Sequence, residues 1–288
     1  MNENFRTEND SIIEVAQEAA RAKAGAIEVL PGQMYAFPTA DGYELLDLDR
    51  DEYTNRLPAP LRKTGTVVVE DVASFADYYR KHGDGSSEVY VNIDQRRITA
   101  VLDAHQLEGP RWGQHRLVLA LKATEAWNAW IGNDRKEQSQ QQFAEFIEDR
   151  LSDIREPVAA DMLEIATTFQ AKSKVNFTSA LALSNGERKL VFEETTDASA
   201  GSKGNLEVPT RFKIAVKALE LPVADGEDPV YYGINARFRY RIQSGQLKVL
   251  YLLEEPAAIM RDAVLAVVGQ VETELGVKVL RGVPAGGH

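Results

Sequence analysis

Tyr232-Gly233-Ile234-Asn235-Ala236-Arg237-Phe238-Arg239-Tyr240-Arg241-Ile242-Gln243-Ser244-Gly245-Gln246-Leu247-Lys248-Val249-Leu250-Tyr251-Leu252-Leu253 is the stretch that decides how the chain is read. Strict alternation puts Ile234, Ala236, Phe238, Tyr240 and Ile242 on one face and Asn235, Arg237, Arg239 and Arg241 on the other, the period of a half-buried strand. Ser244-Gly245 supplies a turn, and Leu247, Val249, Tyr251 and Leu253 return on a single face, so an antiparallel hairpin is predicted. Three arginines then share one surface of a sheet whose other surface is apolar and aromatic.

Toward the N-terminus, Arg211 to Leu219 predicts another strand, with Phe212, Ile214 and Val216 alternating against Arg211, Lys213 and Lys217. A Pro222 to Pro229 loop separates it from the hairpin. Earlier still, Val175 to Leu183 and Lys189 to Glu194 read as strands around an Asn185-Gly186 turn, followed by a Gly201 to Gly204 loop. Toward the C-terminus, Pro256 opens a helix with Ile259, Ala263, Val267, Val271 and Leu275 at intervals of four. Gly276 ends it, and Val277 to Leu280 predicts an edge strand.

Two helices divide the chain. Ser139 with Gln142 has the capping-box pattern ahead of Phe143, Phe146, Ile147 and Leu151, and Pro157 fits the first turn of a helix carrying Val158, Met162, Ile165, Ala166 and Phe169. Before them, Val67 to Val69 is a β run, and Asp71 caps a helix that turns Val72, Phe75, Ala76 and Tyr79 inward and stops at Gly83-Asp84-Gly85. Strands follow at Glu88 to Ile93, Arg97 to His105 and Arg116 to Lys122. A helix from Glu125 to Ile131 then places Trp127, Trp130 and Ile131 in the core. At the N-terminus, Asn9, Asp10 and Ser11 precede a helix carrying Ile12, Val15, Ala16, Ala19 and Ala20 as far as Gly25. An acidic, loop-rich passage runs from there through Pro31, Pro38, Asp41-Gly42 and Glu52 to Pro60.

The fold class expected is α+β: two antiparallel-sheet subdomains joined by a central helical segment, with the C-terminal helix packed on the second sheet. The organisation expected is an N-terminal helix and acidic arm over 1–60, a first α+β subdomain over 61–137, connecting helices over 138–171, and a β-rich subdomain with its helix over 172–288.

Composition narrows the classes of function. With 44% hydrophobic and 27% charged residues in 288, the chain has the makeup of a folded protein with a sizeable core. It has no cysteine, which excludes disulfides, thiolate nucleophiles and thiolate-held zinc or iron-sulfur sites. Met1 to Asp10 lacks the basic-then-apolar order of a signal peptide, and no apolar run reaches membrane-spanning length, so a cytoplasmic chain with no membrane partner is expected. The net charge is −11, yet it is unevenly spread: residues 172–248 hold 12 basic against 9 acidic side chains, and residues 1–60 hold 5 against 12.

No catalytic motif is present. His105, His115 and Asp103 form the one local cluster of metal-ligand types, but histidines ten apart around Gly109-Pro110 match no standard metal spacing. Glu145, Glu148 and Asp149 lie on the polar side of a helix, the ordinary place for solvated charge. Neither Gly83-Asp84-Gly85 nor Gly201-Ser202-Lys203-Gly204 has the strand-to-helix setting of a phosphate loop. The expectation is no catalytic residue, no metal ligand and no cofactor. What remains is the basic sheet surface, carried by Arg211, Lys213, Lys217, Arg237, Arg239 and Arg241. Such a row suits a nucleic-acid backbone, and equally a solvated or intersubunit face with Glu193, Glu207 and Glu220 available as partners.

Several ordered motifs resemble a known family. Arg111-Trp112-Gly113-Gln114-His115-Arg116, Phe143-Ala144-Glu145-Phe146-Ile147-Glu148, Met162-Leu163-Glu164-Ile165 with Thr168-Phe169-Gln170, and Ala236-Arg237-Phe238-Arg239-Tyr240-Arg241 are similar to the YfdQ family of bacteriophage and prophage proteins, from about Ser11 to Pro284. The resemblance implies a phage or prophage origin and an intracellular, non-virion setting near genes of nucleic-acid metabolism. It brings no activity and no site residue. Two partner readings follow: single-stranded nucleic acid or a protein bound to it, and a homo-oligomer whose acidic N-terminal arm docks on the basic face of a neighbour.

Overall fold

A computed structural model describes residues 30–39, 42–182, 188–200, 208–222, 228–243 and 246–286. The chain divides into two units, residues 1–64 and 65–288. In the first unit, β1 (Met34–Thr39) and β2 (Gly42–Asp47) form an antiparallel hairpin, followed by the short helix α1 (Asp51–Thr54). The hairpin corrects the loop-rich reading of this passage. Its pairing opposes Tyr35 to Leu46 and Phe37 to Glu44, and Tyr35 stacks on Phe37 with ring centroids 6.4 Å apart. The helix expected over Asn9 to Gly25 lies outside the described residues.

The second unit begins with β3 (Gly65–Val69), α2 (Val72–His82), β4 (Glu88–Asn92), β5 (Arg97–Val101), β6 (His115–Ala120) and α3 (Glu125–Asn133). It continues with β7 (Gln138–Ser139), α4 (Gln140–Asp149), β8 (Ile154–Glu156), α5 (Ala159–Thr168), β9 (Gln170–Ala182) and β10 (Arg188–Ser199). It ends with β11 (Arg211–Val216), β12 (Tyr232–Gln243), β13 (Gln246–Leu253), α6 (Pro256–Leu275) and β14 (Val279–Arg281). The helices and sheets together make an α+β fold.

The first sheet has the order β14-β4-β5-β6-β3. Only β4, β5 and β6 run antiparallel; the two edges, β3 on β6 and β14 on β4, are parallel. This corrects the all-antiparallel expectation for the first sheet, and the reason is topological. From β3 the chain crosses through α2 to β4, and such a helical crossover returns it in the same direction, whereas β14 arrives through α6 from β13 of the second sheet. Asp71 caps α2 as the sequence suggests, its carboxylate accepting from the Ser74 amide at 2.7 Å, which holds that carboxyl below the usual range.

The second sheet is antiparallel throughout, in the order β7-β13-β12-β11-β8. Its inner face carries Phe212, Ile214, Ile234, Ala236, Phe238, Val249, Tyr251 and Leu253, all buried. Against it α4 lays Phe143 and Ile147, and Trp130 of α3 meets Phe146, Phe212 and Tyr251 at centroid distances of 4.8, 6.0 and 5.3 Å. The contacts to Phe146 and Tyr251 are edge-on, an arrangement that adds about 0.5–1.5 kcal/mol each beyond the area buried. The capping box at Ser139 and Gln142 is formed in both directions. Pro157 does not open α5. β8 runs to Glu156, whose pairing with Lys213 keeps the backbone extended, and the helix begins at Ala159. Ile131, expected in the core, is 38% exposed.

The two sheets share a single core without merging. The Ala123–Leu219 bridge and the bond from Glu220 N to Lys122 O at 2.8 Å join the end of β6 to the segment after β11. That junction ends β11 at Val216 rather than Leu219. β9 and β10 form a separate hairpin, longer than predicted at its open end, where it reaches Gln170 and Ser199; its Asn185-Gly186 turn, like Ser244-Gly245, lies outside the described residues. α6 starts at Pro256 and ends at Gly276, whose φ of 65° suits glycine. Its role is wider than packing on the second sheet. Ala263 and Val267 lie near Tyr232 and Leu219, while Glu274 near its end accepts from Arg80 of α2 at 2.8 Å.

Tyr251 is the polar centre of this core, fully buried, its hydroxyl donating to Trp130 O at 2.7 Å. Burial, with the Asp134 carboxylate adding to it, pushes its phenol far up, so it stays protonated when an unfolded tyrosine ionises near 10.0. The unfolded chain therefore holds fewer protons than the folded one above that pH, and stability falls as pH rises. Tyr251→Phe is expected to cost about 1–3 kcal/mol near neutral pH by orphaning the Trp130 carbonyl. In urea titrations repeated across the alkaline range, the variant should lose stability less steeply than the parent.

Candidate nucleic-acid interface

Register builds the outer face of the second sheet. Directly opposed residues of an antiparallel pair point to the same side. Arg211 opposes Arg237, Lys213 opposes Asn235, Arg241 opposes Lys248, and Arg239 opposes Leu250. With Phe238 and its neighbours committed to the core, all of these stand outward. The structure thus brings together Arg211, Lys213, Arg237, Arg239 and Arg241. Lys217 lies past the end of β11, beyond the Ala215–Gly233 pair, with its ammonium 5.7 Å over the Tyr231 ring. Gly233 leaves room for Lys213 to lie across the backbone, its Cε 3.3 Å from where a Cβ would stand.

Acidic side chains border the row, and they are not the ones expected. Glu254 Oε1 sits 3.5 Å from both Arg211 Nη2 and Arg237 Nε, a shared ion pair between two arginines that would otherwise repel. Glu156 faces Lys213 at 3.9 Å, and Glu137 accepts from Arg241 Nη2. Glu220 instead lies by Lys122 with Glu70, at the bridge between the sheets. Glu207 lies outside the described residues, and of Glu193 the backbone is described, in β10 opposite Asn176. Among the described residues, Arg239 and Lys248 have no carboxylate partner.

Sequence reasoning missed Lys248, Leu250 and Leu252 on this face. The signal was present: reading Ser244-Gly245 in the sequence as a two-residue turn puts Arg241 opposite Lys248, the pairing observed, and alternation along β13 does the rest. A shallow cavity of about 520 Å³ opens where the row meets α6, lined by Gly233, Asn235, Arg237, Glu254 and Ile259 among others. The electrostatics are those of a screened, half-neutralised cationic strip with a free centre at Arg239.

The other candidates are held in structural roles. The Asp103 carboxylate accepts from the amides of Gln114 and His115 at 3.0 and 2.8 Å, and His105 Nδ1 accepts from the Arg111 amide at 2.9 Å. His115 is buried with Nε2 3.0 Å from the Tyr78 hydroxyl. Among the described residues no group of three or more acidic or histidine side chains is arranged to hold a metal ion, and no helix is long and apolar enough to cross a membrane. Glu145, Glu148 and Asp149 are exposed on α4.

Residues 7–284 match the family described as "Uncharacterized conserved protein (DUF2303)". The chain belongs to that family. The match to the DUF2303 family runs through both sheets and every member of the cationic row, and takes in residues of both units. No curated protein and no solved structure matches the chain.

Arg239→Ala is expected to leave stability within about 0.5 kcal/mol of the parent, since nothing described depends on its side chain. Glu254→Ala should destabilise by up to about 1 kcal/mol, because it leaves Arg211 and Arg237 directly opposed. Added salt should recover that loss by screening. Thermal melts at two ionic strengths check both.

Proposed function

We propose that this protein is a non-enzymatic accessory of phage or prophage nucleic-acid metabolism, acting in the cytoplasm of the host cell. In this reading the outer face of the second sheet contacts single-stranded nucleic acid or a protein already bound to it. The observation that carries the reading is the cationic row: Arg237, Arg239 and Arg241 at alternate positions of β12, flanked by Arg211, Lys213 and Lys248, with Arg239 and Lys248 lacking an acidic partner among the described residues. Residues two apart on a strand are about 7 Å apart, a step of the same order as successive phosphates on an extended single strand. Cations so placed gain affinity by releasing condensed counterions. The phage setting is supported by the resemblance of the four motifs above to the YfdQ family.

One observation favours a second reading, a homo-oligomer joined through this face. Leu250 and Leu252 stand among the cations, half-buried, and residues 1–60 carry the acidic excess that would complement them in a neighbouring copy. Salt separates the two. Anisotropy of a labelled single-stranded oligonucleotide should show a log-log salt slope of roughly −2 to −4, for three to six phosphates contacted. Replacing Arg237, Arg239 and Arg241 together by Ala should make that slope shallower by about 2. Light scattering on the same variant reads the oligomer: a lower mass with no oligonucleotide binding by the parent would select the second reading. Unchanged binding and unchanged mass would remove the face from both.

A further inference from the structure

The outer face of the first sheet, where the C-terminal tail lies against Arg97, Thr99 and Val118, carries a second arrangement. Val89, Val91, Ile98, Ala100, Leu117 and Leu119 are buried on one side of β4, β5 and β6, so Tyr90, Arg97, Thr99, Val101 and Arg116 stand on the other. The loop before β6 adds Trp112. Of the three tryptophans in the chain, Trp127 and Trp130 are 5% and 1% exposed, whereas Trp112 is 61% exposed. That exposure is built in. Gly113, with a φ of 62°, donates to Asp103 O, the Asp103 carboxylate takes the next two amides, the Arg111 amide donates to His105, and the Arg111 guanidinium pairs with Asp84 at 2.6 Å.

Between this loop and the C-terminal tail lies a cavity of about 630 Å³, walled mainly by apolar surface from Tyr90, Val101, Pro110, Trp112 and Pro284. Its volume is in the range of small-ligand sites. Its charged lining is Arg111, paired with Asp84, together with Arg116 and Glu88. Arg116 donates through Nε to Gly113 O at 3.0 Å and through Nη2 to Ala285 O, both neutral carbonyls, and neither Arg116 nor Arg97 has a carboxylate partner among the described residues. Glu88, the acidic residue in the wall, accepts from the Tyr90 hydroxyl at 2.6 Å. Because Arg97 opposes Ala120, it lies four positions along β6 from Arg116, about 13 Å away.

We propose that this face binds single-stranded nucleic acid, one base stacking on the Trp112 indole and the flanking phosphates lying on Arg116 and Arg97. Stacking on an aromatic side chain accepts any base, and guanidinium groups without acidic partners supply the charge that phosphate requires. The inference goes beyond the proposed function. It concerns a different sheet and stands or falls without the cationic row.

Trp112 is its own probe, since the other tryptophans are buried. A short oligothymidylate should quench the exposed part of the emission to saturation, at least tenfold tighter than thymidine monophosphate, and inorganic phosphate should not. Trp112→Ala should weaken binding roughly tenfold or more by anisotropy, and Trp112→Phe should restore most of it while abolishing the quench. Arg97→Ala with Arg116→Ala should weaken the quench similarly, and the Arg237, Arg239, Arg241 alanine variant should keep it. The proposal falls if oligothymidylate leaves Trp112 emission unchanged while acrylamide quenches it. It also falls if thymidine monophosphate binds as tightly as the oligomer, which would mark a free-nucleotide site. A Val-Pro-Ala-Gly peptide quenching in place of the oligomer would assign the groove to an extended peptide and overturn it as well.

Discussion

Side chains two apart on β12 point the same way, and most of the second half of the molecule depends on that rule. Phe238 cannot face Phe143 and Phe169 without turning Arg237 and Arg239 outward, so the aromatic core and the cationic strip are two consequences of one register. A slip of one residue against β13 would bury three guanidinium groups and expose the aromatic wall. The pairing is therefore held by the cost of both errors, far more than by any single hydrogen bond of the ladder.

The strip is also shaped by what it had to tolerate. Arg211 and Arg237 are opposed across β11 and β12, an arrangement that antiparallel pairing penalises, and Glu254 at the exit of β13 stands between them. Glu137 and Glu156 each meet a single cation, Arg241 and Lys213, at the two short edge strands, where β7 and β8 also shield the sheet from further pairing. Acids thus come from the ends of elements that border the sheet, while its centre at Arg239 keeps its charge.

The α+β class, the β12–β13 hairpin, the caps at Asp71 and Ser139 and the limits of α6 were legible because each rests on local chemistry: a period of two or of four, a capping oxygen, a glycine with positive φ. The parallel edges of the first sheet were not, since strand direction depends on which distant elements the connections join, and that leaves no mark in the strand itself. The partners of the arginines were missed for a related reason. Glu254, Glu137 and Glu156 lie in or beside three separate elements, and only strand pairing brings them to the row, from as few as 17 to as many as 104 positions away. Trp112 was quoted for its resemblance alone; its exposure comes from the backbone bonds to Asp103 and His105, which alternation does not report.

The edge strand β14 sets an order on biosynthesis. β4 is translated early, yet the neighbour that covers its outer side is residues 279–281. While the ribosome is still making the second sheet and α6, the backbone donors and acceptors along that side of β4 have no strand to meet. A nascent chain in this state presents a sticky margin to whatever is near, including another copy on the same polysome. Completion of the first sheet thus waits until the second sheet and α6 have been made, and β4 is the strand that must wait.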